Sequence, residues 1–294
     1  MRPPWNLLLL AAPSAAAGFA VLAFASASRV LWLQQILAIC LALSVAVVGA
    51  RLSSFGRPRL GPAAAVTLVT LVCLAATLPS GASGPARWVS LGPLNLYIAP
   101  AVLPAYLVAV SVAVGYERLR LFAFASAVSA SALLAIQPDA SQAIALLVAV
   151  TVAIVGARSH ALASGVTLTL ISVATAWSLA RPDPLQPVPH VEGVFRLALE
   201  HSILGGAAIM ACAVVLVGGL FVCSFKGFPW LSAVASYYAV LFLCSVAGLT
   251  PAPLIGYGAG PMLGFGLMVA MSSWAGSYAS SDSSCKPTPL RGAA

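Results

Sequence analysis

Apolar and polar positions in this chain alternate on a long scale: ten apolar stretches, each broken from the next by a short run of charged, Pro-rich or Gly-rich residues. The stretches lie near 6–26, 31–50, 61–80, 96–115, 120–136, 141–157, 161–180, 197–222, 229–249 and 259–278. A helix needs about 20 apolar residues to cross the hydrocarbon core of a bilayer, and most of these stretches meet that length. The fifth and sixth are short and joined by QPDAS (137–141), so a re-entrant pair is the alternative there, giving eight to ten spans. The pattern predicts an all-α fold, a polytopic membrane bundle of about ten transmembrane helices. One transmembrane domain fills residues 1–280, and a disordered tail follows at 281–294.

Composition supports the same class. Of 294 residues 61% are hydrophobic and 7% charged, with a mean hydropathy of +1.04, against about 25% charged in soluble domains. A water-soluble fold would have almost no polar surface to cover its core. The N-terminal LLLLAAPSAAA resembles a secretory leader, but the apolar run continues to about residue 26 and further spans follow, so an uncleaved first helix is expected.

The net charge of +8 does not indicate nucleic-acid binding, because the cations sit singly or in small groups between apolar runs. With ten spans, one set of loops and ends holds Arg2, Arg51, Arg57, Arg59, Arg118, Arg120, Arg158, Lys226, Lys286 and Arg291, and the other only Arg29, Arg87, Arg181 and Arg196. That asymmetry places both termini in the cytoplasm. The unusual polar clusters then face outward, in the segments 82–92, 137–141, 181–193 and 250–260. The six cysteines are scattered, without paired spacing or nearby histidines, and indicate neither a disulfide framework nor a zinc site.

Each outward cluster has a structural and a functional reading. Asp139 is placed to cap the sixth span, yet a carboxylate so near hydrocarbon is costly unless paired. Arg87-Trp88 fits either an interfacial anchor or a guanidinium fork for phosphate beside an aromatic platform. The segment RPDPLQPVPHVEG (181–193) carries Arg181, Asp183, His190 and Glu192, followed by Arg196, Glu200 and His201. Glu192, Arg196 and Glu200 share one helix face if the eighth span starts early, giving an ion-pair ladder. Alternatively, Glu192 is a general base on a Pro-stiffened loop. Tyr257 stands among glycines that permit tight turns.

In this order and at these positions, the clusters resemble the SEDS family (shape, elongation, division and sporulation), of the FtsW, RodA and SpoVE type. FASASRVLWLQQ is similar to the family's YSAS…Q, ASGPARWVSLG to its NGARRWI-LG, and LLAIQPDAS to its LL-QPDLG. PHVEGVFRLALEHSILGGA resembles AHTDFIFAVIAEELGLLGA, and PLIGYGAGPML resembles PLISYGGSSLL. The resemblance implies a peptidoglycan glycosyltransferase that polymerises lipid II at the outer face of the bacterial cytoplasmic membrane, in cell division or cell-shape maintenance. It further implies a class B penicillin-binding protein as partner and a divalent cation, Mg or Mn.

Glu192 matches the family's catalytic acid. Arg87, Trp88, Asp139, Arg181, Asp183, His190, Arg196 and Tyr257 become substrate-binding candidates for lipid II or a related polyprenyl-pyrophosphate lipid. The chain also departs from the family: Val102 and Ala105 stand where it has Glu and Lys, Glu192 replaces Asp, and the stretch before His190 is cut to about ten residues. The alternative is a non-catalytic SEDS-like protein that binds a polyprenyl lipid or a division or elongation partner through the same face. A transporter finds little support, since ionisable residues are nearly absent from the span interiors.

Overall fold

In hydrocarbon every backbone N–H and C=O must find a partner within the protein, so apolar stretches of this length fold as helices. The computed structural model describes residues 5–53, 61–78, 87–91, 94–158, 161–181, 188 and 190–281. Among these it has eleven helices: α1 (Trp5–Phe24), α2 (Arg29–Leu52), α3 (Gly61–Ala75), α4 (Ile98–Gly115), α5 (Glu117–Ile136), α6 (Ala140–Gly156), α7 (Ala161–Leu179), α8 (Val194–His201), α9 (Ile203–Phe225), α10 (Leu231–Val246) and α11 (Ala259–Ser281). Ten of them correspond to the ten stretches, and the chain is an all-α polytopic membrane bundle. By length and composition α1, α2, α4, α5, α7 and α9 can each cross a bilayer, while α3, α6 and α10 are shorter apolar helices. The tail 282–294 and Asp183 lie outside the described residues.

The structure corrects one expectation, decides a second that the sequence left open and adds a feature it did not predict. The eighth span is two helices: Ser202 takes an extended backbone and its Oγ accepts from the Gly205 N–H at 2.9 Å, so it caps α9 and cuts off the short α8. Glu192 precedes α8 and so stands outside the helical ladder, which reduces to Arg196 and Glu200 at 2.7 Å, both exposed. Ahead of α4 stands an antiparallel hairpin, β1 (Trp88–Leu91) and β2 (Leu94–Tyr97), with Trp88 opposite Tyr97.

α4 is the central helix. Fourteen of its 18 residues are buried, from Ile98 to Val114, and it packs on α3, α5, α6, α10 and α11. Without a hydrophobic drive between helices in lipid, close backbone approach through small residues holds such bundles together. The first turns of α11 show this in the sequence Gly260-Pro-Met-Leu-Gly264. A Cβ on Gly260 would strike the Tyr97 carbonyl oxygen, and one on Gly264 would strike that of Pro100. Glycine at these two positions therefore sets how near α11 comes to α4.

Candidate functional site

The turn Gln137-Pro138-Asp139 joins two helix ends with opposite electrostatic needs. The last carbonyls of α5 lack intrahelical donors, and the first N–H groups of α6 lack acceptors. Arg87 and Asp139 answer these needs in turn. Arg87, only 5% exposed, donates from Nε to the Gln137 carbonyl at 3.2 Å and from a terminal nitrogen to the Pro138 carbonyl. Asp139, 2% exposed, caps α6 by accepting from the Gln142 N–H at 3.4 Å, and its other oxygen accepts from the Tyr97 hydroxyl at 2.5 Å. A cation at a helix C-terminus and an anion at an N-terminus are both favoured by the helix dipole.

Arg181 serves the same helix end from outside. Its Nη1 donates to the carbonyls of Ile136 at 2.9 Å and Ala135 at 3.3 Å, and its guanidinium lies 5.7 Å from the Trp177 ring. Gln137 in turn donates from Nε2 to the Leu74 carbonyl at the end of α3, at 2.8 Å. Tyr237 of α10 donates to Gln142 Oε1 at 2.6 Å, and Trp88 stacks on Tyr97 with centroids 5.1 Å apart. The result is a buried polar layer linking the hairpin, α3, α5, α6 and α10.

A second cluster forms where Val188 and residues 190–193 meet the loop 250–258. Glu192 Oε2 accepts from the Val188 N–H at 2.8 Å, and the Glu192 N–H donates to the Val188 carbonyl at 2.9 Å, so the acid closes a tight turn. That turn is clipped to the other loop by backbone bonds: Ala252 N–H to the Val191 carbonyl at 3.3 Å and Tyr257 N–H to the His190 carbonyl at 3.0 Å. Gly256 is required here, since a Cβ would come within 2.6 Å of the Val191 carbonyl oxygen. The His190 ring stands edge-on to Tyr257, with centroids 6.0 Å apart. Partial burial lowers the His190 pKa and raises that of Tyr257, so both are neutral at neutral pH.

Two glutamines that the sequence reading did not single out as site residues complete this cluster. The Tyr257 hydroxyl donates to Gln34 Oε1, and Gln35 Oε1 accepts from the Gly258 N–H at 3.4 Å. Gln35 is 1% exposed and its Nε2 has no hydrogen-bond partner among the described residues. Amides inside an otherwise apolar span are themselves a signal.

The two clusters lie at one end of the bundle. Gly260 sits on the Tyr97 carbonyl, and Ser141 Oγ donates to the Leu249 carbonyl at 3.3 Å. The structure thus gathers Glu192, His190 and Tyr257 into one cluster and Arg87, Trp88, Asp139 and Arg181 into its neighbour. Arg196 points away, paired with Glu200. Beside the Glu192–Tyr257 cluster an apolar groove of about 350 Å³ runs between α1, α2 and α11, lined by residues including Ala15, Phe19, Ile39 and Phe265, and reaching Leu254 of the same loop as Tyr257.

Among the described residues no three His, Cys, Asp or Glu side chains come together. A cation of the Mg or Mn type needs several oxygen donors. Among the described residues there is therefore no protein-built site for one, and no chemical step is assigned to a metal.

No protein-family model and no curated protein matches the chain. Solved structures do. The crystal structure of the rod shape determining protein RodA of Thermus thermophilus aligns over 92% of this chain and 97% of its own, with a TM-score of 0.70 at 24% identity. A point mutant of that protein aligns over 92% and 98%, with 0.68 at 22%. A chain of a peptidoglycan synthase complex that coordinates polymerization and crosslinking aligns over 94% and 98%, with 0.67 at 20%. Nearly whole-chain agreement of this kind, together with the order of helices and loops described above, establishes that this multi-pass membrane protein has the SEDS fold.

Proposed function

We propose that this chain is a cell-shape or cell-division protein of the bacterial cytoplasmic membrane that polymerises lipid II at its outer face, with Glu192 as general base. The observation that carries the reading is the clipping of the Glu192 turn onto the Tyr257 loop at the head of an apolar groove. A carboxylate is thereby held at the membrane surface beside a channel that suits a polyprenyl tail. In the reaction Glu192 takes the proton of the acceptor sugar's 4-hydroxyl while that oxygen bonds to C1 of the donor sugar. The bond from C1 to the phosphate oxygen breaks, and the polyprenyl diphosphate leaves with the electron pair. Arg181, the exposed cation next to this face, offsets the diphosphate charge, and a class B penicillin-binding protein is the expected partner.

One observation favours a second reading, in which the protein binds the lipid without turning it over. Arg87 and Asp139 are buried and committed to helix ends. Purified protein given lipid II, alone and with a partner transpeptidase, separates the two. Polymer from wild type that disappears in Glu192→Gln supports catalysis; lipid II binding with no polymer in any combination supports the binding reading.

A further inference from the structure

A second cavity lies at the opposite end of the bundle from Glu192. It has a volume of about 520 Å³ and is formed where α4 and α6 end, α10 begins and α11 finishes. Along α4, from Ile98 to Gly115, about 1.5 Å per residue puts it roughly 25 Å from the Tyr97–Asp139 layer. Its walls are apolar and aromatic: Tyr116, Trp230 and Tyr278 line it, with Trp274 stacked on Tyr278 at 5.6 Å. Glycine keeps it open. Gly115, Gly156 and Gly227 all line it, and a Cβ on any of them would meet no atom within 4 Å.

Basic residues adjoin the lining in the chain. Arg158 directly follows the lining residue Ala157, Lys226 directly precedes Gly227, and Arg118 lies two residues after Tyr116. All three are exposed, and none of their side chains makes a hydrogen bond or ion pair among the described residues. Arg120 is held by the α4 carboxyl end, donating from Nε to the Val114 carbonyl at 3.1 Å. Glu117 is the one carboxylate at this end among the described residues. An apolar, aromatic pocket of small-molecule size, set among unpaired cations at the basic end of a membrane bundle, matches an anionic amphiphile.

We infer that this cavity binds one anionic phospholipid of the adjacent leaflet, its acyl chain among Tyr116, Trp230 and Tyr278 and its phosphate against Arg158 and Lys226. The site is independent of the chemistry proposed for Glu192. Native mass spectrometry of the full-length protein, with added phosphatidylglycerol or phosphatidylcholine, tests it. One phosphatidylglycerol is expected to be retained in preference to phosphatidylcholine, and the double variant Arg158→Gln/Lys226→Gln should reduce that preference by about 10- to 30-fold. Gly156→Trp fills the cavity and should abolish retention, whereas Gly165→Leu, at an open position outside the cavity, should leave it intact.

Where Gly156→Trp does not fold, quenching by brominated-chain phosphatidylglycerol supplies the answer. The component of tryptophan quenching lost in Trp230→Phe should saturate with that lipid and vanish in the cation variant. Equal retention of both lipids, retention in folded Gly156→Trp, or no quenching component from Trp230 would overturn the inference.

Discussion

Replacing Arg87 by Gln tests whether the polar layer at the hairpin is structural. Arg87 is 5% exposed and satisfies the carbonyls of Gln137 and Pro138, in the turn that follows the last residue of α5. Hydrogen bonds from a charged donor contribute about 1.5–3 kcal/mol each, and stripping a partner from a buried charged group costs about 3–5 kcal/mol. The nearby Asp139 carboxylate, bound to Tyr97 at 2.5 Å, would also lose a stabilising cation. A loss of about 3–5 kcal/mol is therefore expected for Arg87→Gln, with Arg87→Lys in between because it keeps the charge but not the fork. Reversible unfolding in mixed micelles, followed by circular dichroism, gives this difference directly. A loss under about 1 kcal/mol, with lipid II binding abolished, would show that the arginine serves the ligand and not the helix end.

Gly264→Val should destabilise the bundle by at least about 1–3 kcal/mol in the same unfolding measurement, because its side chain meets the Pro100 backbone oxygen, which cannot rotate away. His190, whose pKa is lowered by burial, is neutral in the folded state at a pH where the unfolded chain already takes up a proton. Stability should therefore fall as pH drops through about 6.5 towards the lowered value, and His190→Gln should flatten that segment of the pH profile. Tyr257→Phe leaves Gln34 without its hydroxyl partner; hydrogen exchange of the 250–258 loop should speed up while the helices remain protected.

The helices were legible in the sequence because a bilayer allows few alternatives: apolar runs near 20 residues long must be helical, and the order of the polar loops carried the resemblance to SEDS proteins. The break at Ser202 was not, since the polar trio Glu200-His201-Ser202 signals a cap only once the Gly205 N–H is seen to reach the serine. The hairpin escaped because its two strands have four residues each, too few for alternation to register. Of the site, the family motifs named Glu192 and Tyr257 as candidates but did not say that their loops would be clipped together. The partners of Arg87, Asp139 and Tyr257 depended on contacts across 42 to 223 residues, which no local pattern encodes. Gln34 and Gln35 were visible as polar residues in a span, but nothing local said which loop they would meet.

In the proposed reaction Glu192 acts in turnover and not in holding the lipid. Lipid II affinity and single-turnover polymerisation, measured on the same preparations of wild type and Glu192→Gln with the partner transpeptidase present, test it most directly. Similar affinity is expected, with a rate lower by about 100- to 10,000-fold, the usual contribution of a general base. Equal rates in the two proteins would contradict it.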